Sequence, residues 1–535
     1  MNRSIIVGIV MLIGVAFAIF AGFNVAMGEY ETLGTYAATA IALYFFAHGW
    51  RNVWWFAALL IFSGVIFLHA FEFNVEHLFF LMICLASMMF LLSRNSMPRP
   101  KELEIAGAGI VRFVLGMLLV YGLGHFIFNF AHPYSPQDYS LKTCSKAYFE
   151  CFATMTCFYW LITGPYGFYL KPSWPKTLFV IIFASLLGNI AIRGAMFATG
   201  LQAADDLGGD AIGFFSWKIP VINMHPGVYT LRNITPISIT ILLMIATSSG
   251  WWSKNARWTK LLVIISIPLC LVGAILSGGR ATLIFCLFMI FAVMIIRRQI
   301  ALLAVSGMIA TLGIVLVNIF SGSINNHAPV YIARSLQLVM LDKGSTYDGI
   351  VGSQETRDAG KKAALVEWKK DNRVLFFGRS VYSITWEEAV YINKKYGMEG
   401  FVMNAMRSGR THNLLTDLLL QYGLLGCLLY LTSYIAVIVY FWRLAKKIDH
   451  RHGEVRALVL SMVIYLPAAF VYALIGGSYM PSIAVLVIGI TRSHLATLRT
   501  TEPFGELGTV RTAGQAPPGL LARPVQGLRN ANHAR

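Results

Sequence analysis

Runs of about 17 to 25 apolar residues, separated by short polar connectors, repeat through most of this chain and are its dominant pattern. A helix rises 1.5 Å per residue, so roughly 20 apolar residues cross a hydrocarbon core ~30 Å thick. About fourteen such runs can be placed, near 4–23, 33–49, 53–70, 75–93, 107–130, 147–170, 176–197, 233–250, 258–276, 279–297, 299–319, 414–442, 455–474 and 479–493. The expectation is an all-α polytopic membrane protein of about 12–14 transmembrane helices. The first run is long, is followed by many others and has no persuasive cleavage site, so it reads as a retained anchor and not a secretory signal.

Composition narrows this further. Of 535 residues, 57% are hydrophobic and 13% charged, which excludes a soluble globular domain. The formal charge of +18 is spread over alternate connectors: Arg3, Arg51, Arg94 with Arg99 and Lys101, Lys171 with Lys176, Lys254 to Lys260, Arg297 with Arg298, and Arg443 to Arg456. Basic loops stay in the cytoplasm, so both termini are expected there. A nucleic-acid partner would need one basic face, and this scatter excludes it. The expected partners include the membrane lipids themselves. Cys84, Cys270, Cys286 and Cys427 fall in apolar runs, where a buried thiol is the simplest reading. Cys144 and Cys151 lie near an outer loop, in position for a disulfide.

Four regions follow. Residues 1–319 form the N-terminal part of the bundle, with an outer loop near 198–232; 320–411 form a large outer loop or lid; 412–493 complete the bundle; 494–535 are a Gly-, Pro- and Arg-rich cytoplasmic tail without periodicity, expected to be disordered. Within the large loop, SQETRDAGKKAALVEWKKDNRVLFFG predicts a helix capped by Thr356 and stopped at Asp371 and Asn372. Arg357, Lys361, Ala364 and Trp368 share one stripe of it, suited either to phospholipid headgroups or to packing inside its own domain.

Candidate chemistry lies where loops meet helices. THNLLTDLLLQYGLLG places His412 and Asn413 at the outer mouth of a span. A neutral imidazole accepts a proton near working pH, although an interfacial histidine can also simply hydrogen-bond at a helix start. Asp417 is five residues on, roughly 140° around the helix, so it faces Asn413 and not His412. LSGGRATLIF puts Arg280 at the outer start of another span; arginine there grips an anionic ligand or snorkels to the interface. Arg334, Arg357, Arg373, Arg379, Arg407 and Arg410 crowd the large loop, and their guanidinium forks suit phosphate oxygens, though most must be ordinary surface charge. Together these parts suit a membrane-held pyrophosphate donor and an acceptor hydroxyl activated by histidine.

The ordered trio THNLLTDLLLQYGLLG, SGGRAT and TRDAGKKAALVEWKKDNRVLFFG resembles the histidine motif, the serine-arginine motif and the arginine-led loop helix of the O-antigen ligase and polymerase superfamily, mainly over 230–450. Gly279 stands where that motif has serine, and fourteen spans exceed the twelve of a typical ligase. The resemblance implies transfer of a glycan from undecaprenyl pyrophosphate to an acceptor sugar, lipid A-core above all, at the periplasmic face of a bacterial inner membrane, with inversion and without metal or other cofactor. It implies His412 as the base and Arg280 and Arg357 as pyrophosphate ligands, with Asn413, Arg410 and Arg193 in support. Polysaccharide polymerases and protein O-oligosaccharyltransferases share these motifs. A metal-dependent transferase would draw on Glu29 and Glu31, or on Asp205, Asp206 and Asp210. A transporter or flippase of lipid-linked glycan would call for paired broken helices or internal symmetry, and the sequence displays neither.

Overall fold

The computed structural model describes residues 55, 58, 61–62, 65–67, 108–131, 155–159, 161–162, 174–198, 222–224, 228–328, 330–337, 339–341, 348–379, 386–396, 413–476 and 483–501; of some helical residues, Arg193 and Arg357 among them, it describes the backbone alone. The runs at 4–23, 33–49 and 75–93, both acidic clusters, Cys84, Cys144, Cys151 and the tail beyond 501 lie outside the described residues.

The described chain is a helical bundle. Its helices are α1 (Ala108–Ala131), α2 (Trp174–Ala198), α3 (Val228–Ala246), α4 (Arg257–Leu276), α5 (Arg280–Ile296), α6 (Ile300–Ile319), α7 (Ser321–His327), α8 (Val330–Leu336), α9 (Asp348–Trp368), α10 (Asn372–Phe377), α11 (Trp386–Tyr396), α12 (Leu414–Lys447), α13 (Gly453–Gly476) and α14 (Ile483–Thr501). Among the described residues five helices are long and apolar enough to cross a membrane, or six if the 66° bend between α6 and α7 sits within one span; α3, α5 and α14 are shorter apolar helices. One small addition to an all-helical reading is an antiparallel ladder of three residues a side, Val65–Phe67 against Ile222–Met224.

Helix α3 is the centre. It packs against α2, α4, α5 and α13, and every residue from 234 to 246 is buried. A helix apolar all round belongs in such a place. Its two buried threonines are satisfied locally, Thr235 Oγ1 donating to the Leu231 carbonyl at 2.7 Å and Thr240 Oγ1 to that of Pro236 at 2.6 Å. Helix α6 is the opposite case: Met308, Ile309 and Leu312 are each about two-thirds exposed, which assigns it to the lipid-facing rim. Cys270, Cys286 and Cys427 are buried free thiols.

Cross-helix hydrogen bonds fix the alternation of direction. At one end Arg297, ending α5, donates to the Met244 carbonyl ending α3 at 2.7 Å; Arg456, opening α13, donates to Ala445 near the end of α12 at 3.0 Å. Asn255, just before α4, donates to Glu454 of α13 at 3.3 Å. The loop arginines thus also cap exposed helix carbonyls, where positive charge is favoured. At the other end Arg232 of α3 donates to the Ser277 carbonyl after α4 at 3.1 Å, and Asn413 donates to the Leu474 carbonyl of α13. The large loop, 320–411, joins the bundle at this second end.

Helix α12 is broken. Gly423 has φ 65° and ψ −173°, a conformation open only to glycine. Its facing residue Gly378, just after α10, has φ 80° and ψ 173°. A Cβ on Gly423 would collide with the backbone of Phe376 and Gly378, and one on Gly378 with the backbone of Gln421 and Tyr422. The carbonyls freed by the break find new donors: Leu420 accepts from the Arg379 amide at 2.7 Å and Tyr422 from the Tyr121 hydroxyl of α1 at 2.6 Å. The two glycines therefore let a loop backbone lie directly on a spanning helix.

Candidate functional site

Asn413 is the N-cap of α12. Its side-chain oxygen accepts from the Thr416 amide and the Thr416 hydroxyl, both at 3.0 Å, while its amide group ties to Leu474. The asparagine beside the candidate base is accordingly a structural pin that fixes where the helix begins relative to α13. His412 itself and Arg410 lie outside the described residues; the chain is anchored one residue after the histidine. Asp417, one turn into the helix, is 3% exposed, with its amide bonded to the Asn413 carbonyl at 3.0 Å.

Arg280 is the first residue of α5 and is half-buried. The turn before it is built by Ser277, whose hydroxyl donates to the Ala274 carbonyl at 2.6 Å and accepts from the Gly279 amide at 3.2 Å, and by Gly278 at φ 65°. Arg232 lies across this turn. A Cβ on Gly279 would come within 3.1 Å of the Arg232 Nε and 2.7 Å of the Thr282 hydroxyl. That contact explains why position 279 favours glycine: a side chain there would press on the Arg232 guanidinium stem and on Thr282. Arg232, which the sequence pattern does not single out, sits in VYTLRNITP in the first turns of α3 much as Arg280 sits at the start of α5. The available signal was that likeness of position.

Helices α5 and α13 are adjacent. Phe285 of α5 stacks between Tyr465 and Tyr472 of α13 with centroids 5.6 and 5.4 Å away and planes 16° apart. Phe285 is five residues beyond Arg280, about 7.5 Å along the helix. Tyr472 is two residues before the carbonyl that holds Asn413. Arg232, Arg280 and Asn413 thus occupy the same end of one contiguous packing unit.

The loop corrects several expectations. Helix α9 starts at Asp348, so Thr356 lies in its interior and not at its start. Asp371 does not merely stop α9; it caps α10, accepting from the Arg373 amide at 3.3 Å. The stripe of Ala364 and Trp368 faces inward: Ala363 and Ala364 are fully buried, and Trp368 donates to the Leu375 carbonyl at 3.0 Å. Small alanines on a helix packed against α12 permit close approach, so this face becomes the core side. Arg379 is engaged within the loop: it pairs with the buried Glu367 at 2.7 Å and with Glu388 at 3.0 Å, joining α9 to α11. Arg357 is at a backbone position two turns before Ala364, and Arg193 at one near the end of α2. Ser335 of α8 donates to the Ile275 carbonyl at 2.9 Å, binding the start of the loop to the corner that carries Arg280.

Chemically, this end offers the Arg232 guanidinium across a glycine turn, Arg280 on the residue that follows that turn at the start of α5, and Asn413 pinned at the start of α12. Guanidinium and helix amides favour an anion with several oxygens. No protein-family model matches the chain, and no curated protein matches it.

Proposed function

We propose that the chain is a glycosyltransferase that moves a glycan from undecaprenyl pyrophosphate to an acceptor sugar, lipid A-core, at the periplasmic face of a bacterial inner membrane. The observation that supports this reading is the placement of Arg232, from α3, across the glycine turn that leads directly into Arg280, the first residue of α5, at the end of the bundle where Asn413 caps α12.

The step needs an acceptor hydroxyl oxygen to attack the anomeric carbon as the bond from that carbon to the diphosphate oxygen breaks. The hydroxyl proton passes to His412, and the electron pair leaves with undecaprenyl pyrophosphate, so the configuration inverts. Arg232 and Arg280, with Arg357 from the loop, stabilise the growing negative charge on the leaving group in the role a divalent cation plays elsewhere. Transfer should accordingly survive chelator. A lipid donor lies in the bilayer with its head at the helix ends, which is where these groups are. A transporter would instead break paired helices near the midplane. The break at Gly423 lies some 24 residues, about 36 Å, from Lys447 and therefore near one surface.

The test is incubation of purified protein with undecaprenyl-pyrophosphate glycan and, separately, lipid A-core, a growing glycan and an acceptor protein. Joining to lipid A-core is expected; joining to another acceptor would make it a polymerase or protein ligase, and no product with any of them overturns transfer. The His412→Ala variant should lose at least about 10²-fold in rate while still binding donor, the scale of general-base catalysis. Normal transfer by that variant removes the base assignment.

A further inference from the structure

The face of α9 opposite its buried alanines is an exposed stripe. Leu365, Val366 and Lys369 lie three, four and seven residues on from Lys362, on one helical face, and all four are exposed, Leu365 by 36% and Val366 by 47%. The next segment continues it with Arg373, Phe376 and Phe377, the two rings 44% and 50% exposed. The acid within this stretch of α9 is turned away, since Glu367 is buried against Arg379 with Lys370 3.6 Å from it. What remains outward on α9 is apolar bulk flanked by Lys362 and Lys369; ahead of Arg373, the exposed Asp371 is engaged as the cap of α10.

The height of this patch is set by the break in α12. The backbone of Phe376 touches Gly423, so the rings leave the chain at the level of that residue. Below it α12 shows a lipid-facing row, Leu425, Leu428, Ile435 and Trp442, each 41–61% exposed. From Gly423 to Arg443 is about 30 Å, the thickness of a hydrocarbon core. Gly423 thus stands at its upper edge, where the headgroups begin.

We propose that this face of the loop, Lys362, Leu365, Val366, Lys369, Arg373, Phe376 and Phe377, rests on the bilayer as an interfacial anchor, its apolar side chains among the upper acyl carbons and its cations on anionic phospholipid headgroups. Such a contact holds the lid at the membrane surface beside the end of the bundle that carries Arg280. It stands whether or not the chain transfers glycans.

The experiment places a nitroxide at Val366→Cys and at Phe377→Cys in the full chain, reconstituted in nanodiscs of phosphatidylcholine with and without phosphatidylglycerol. The parent chain, treated alike, supplies the background. Accessibility to oxygen and to a nickel chelate is read by power saturation, with Leu428→Cys as the lipid reference and Asp358→Cys, 49% exposed at its side chain, as the water reference. Expected is an oxygen-dominated signal at both sites, close to the lipid reference and strongest with phosphatidylglycerol. Adding Lys362→Glu, Lys369→Glu and Arg373→Glu together should raise nickel accessibility severalfold. Nickel accessibility equal to the Asp358→Cys reference in both lipids overturns the anchor, as does protection that arises only when an acceptor or another protein is added. Low nickel accessibility indifferent to phosphatidylglycerol and to charge reversal overturns the anionic headgroup contact.

Discussion

Gly279 decides how much room Arg232 has beside the turn that leads into Arg280. Arginine is stiff at its planar end and long in its stem, so a side chain laid across a turn needs the turn to be bare. In the Gly279→Ser variant the new Cβ would press on Thr282 and on Arg232, and Arg232 would be moved off the corner. The expected outcome is weaker engagement of lipid-linked pyrophosphate, about tenfold, with a melting temperature nearly unchanged, measured by donor titration beside a thermal unfolding scan. Lysine in place of Arg232 or Arg280 should recover little, because a point charge lacks the fork. Arg280 was legible in the sequence because it interrupts an apolar run after a glycine pair. Arg232 was not, because it looks like the flank of any span until a turn distant in sequence is folded under it.

At the scale of elements, spans were read closely: the run at 258–276 became Arg257–Leu276 and that at 279–297 became Arg280–Ile296. Lipid-length apolar runs have few alternatives, since a backbone in hydrocarbon must satisfy itself. The loop was read less well. Helix α9 carries Gly352 and Gly360 and a polar first half, so its true start at Asp348 had no periodic signal, and its buried face is marked by alanine, which hydropathy barely distinguishes from an exposed residue. The break in α12 is half visible: THNLLTDLLLQYGLLG carries Gly423 and Gly426 inside an apolar run, whereas the partner Gly378 gains its meaning only by crossing Gly423. That crossing makes a sharp prediction. Gly423→Ala and Gly378→Ala each force a side chain into a glycine-only conformation and against backbone, costing roughly 1–3 kcal/mol or more. Because both lesions strike one contact, the double variant should lose clearly less than the sum, as read in a double-mutant cycle by thermal or denaturant unfolding. Full additivity would mean that the two glycines act separately.

For the molecule as a whole, the alternation of the described helices follows from hydropathy and short connectors. The arrangement of neighbours does not, because helices similar in composition differ only in what surrounds them. Helix α3 lies at the centre and α6 at the rim, yet both read as apolar runs.

The enclosure of α3 bears on how the protein is made. Thr235, Ser238 and Thr240 are fully shielded, and part of that shield is α13, which leaves the ribosome long after α3 has entered the bilayer. During synthesis these hydroxyls must face acyl chains or a chaperoning insertase until Gly453 and its successors arrive. A nascent product halted after Ile319 should therefore be cleared rapidly by membrane proteases in a pulse-chase, and supplying 413–535 as a separate polypeptide should prolong its lifetime.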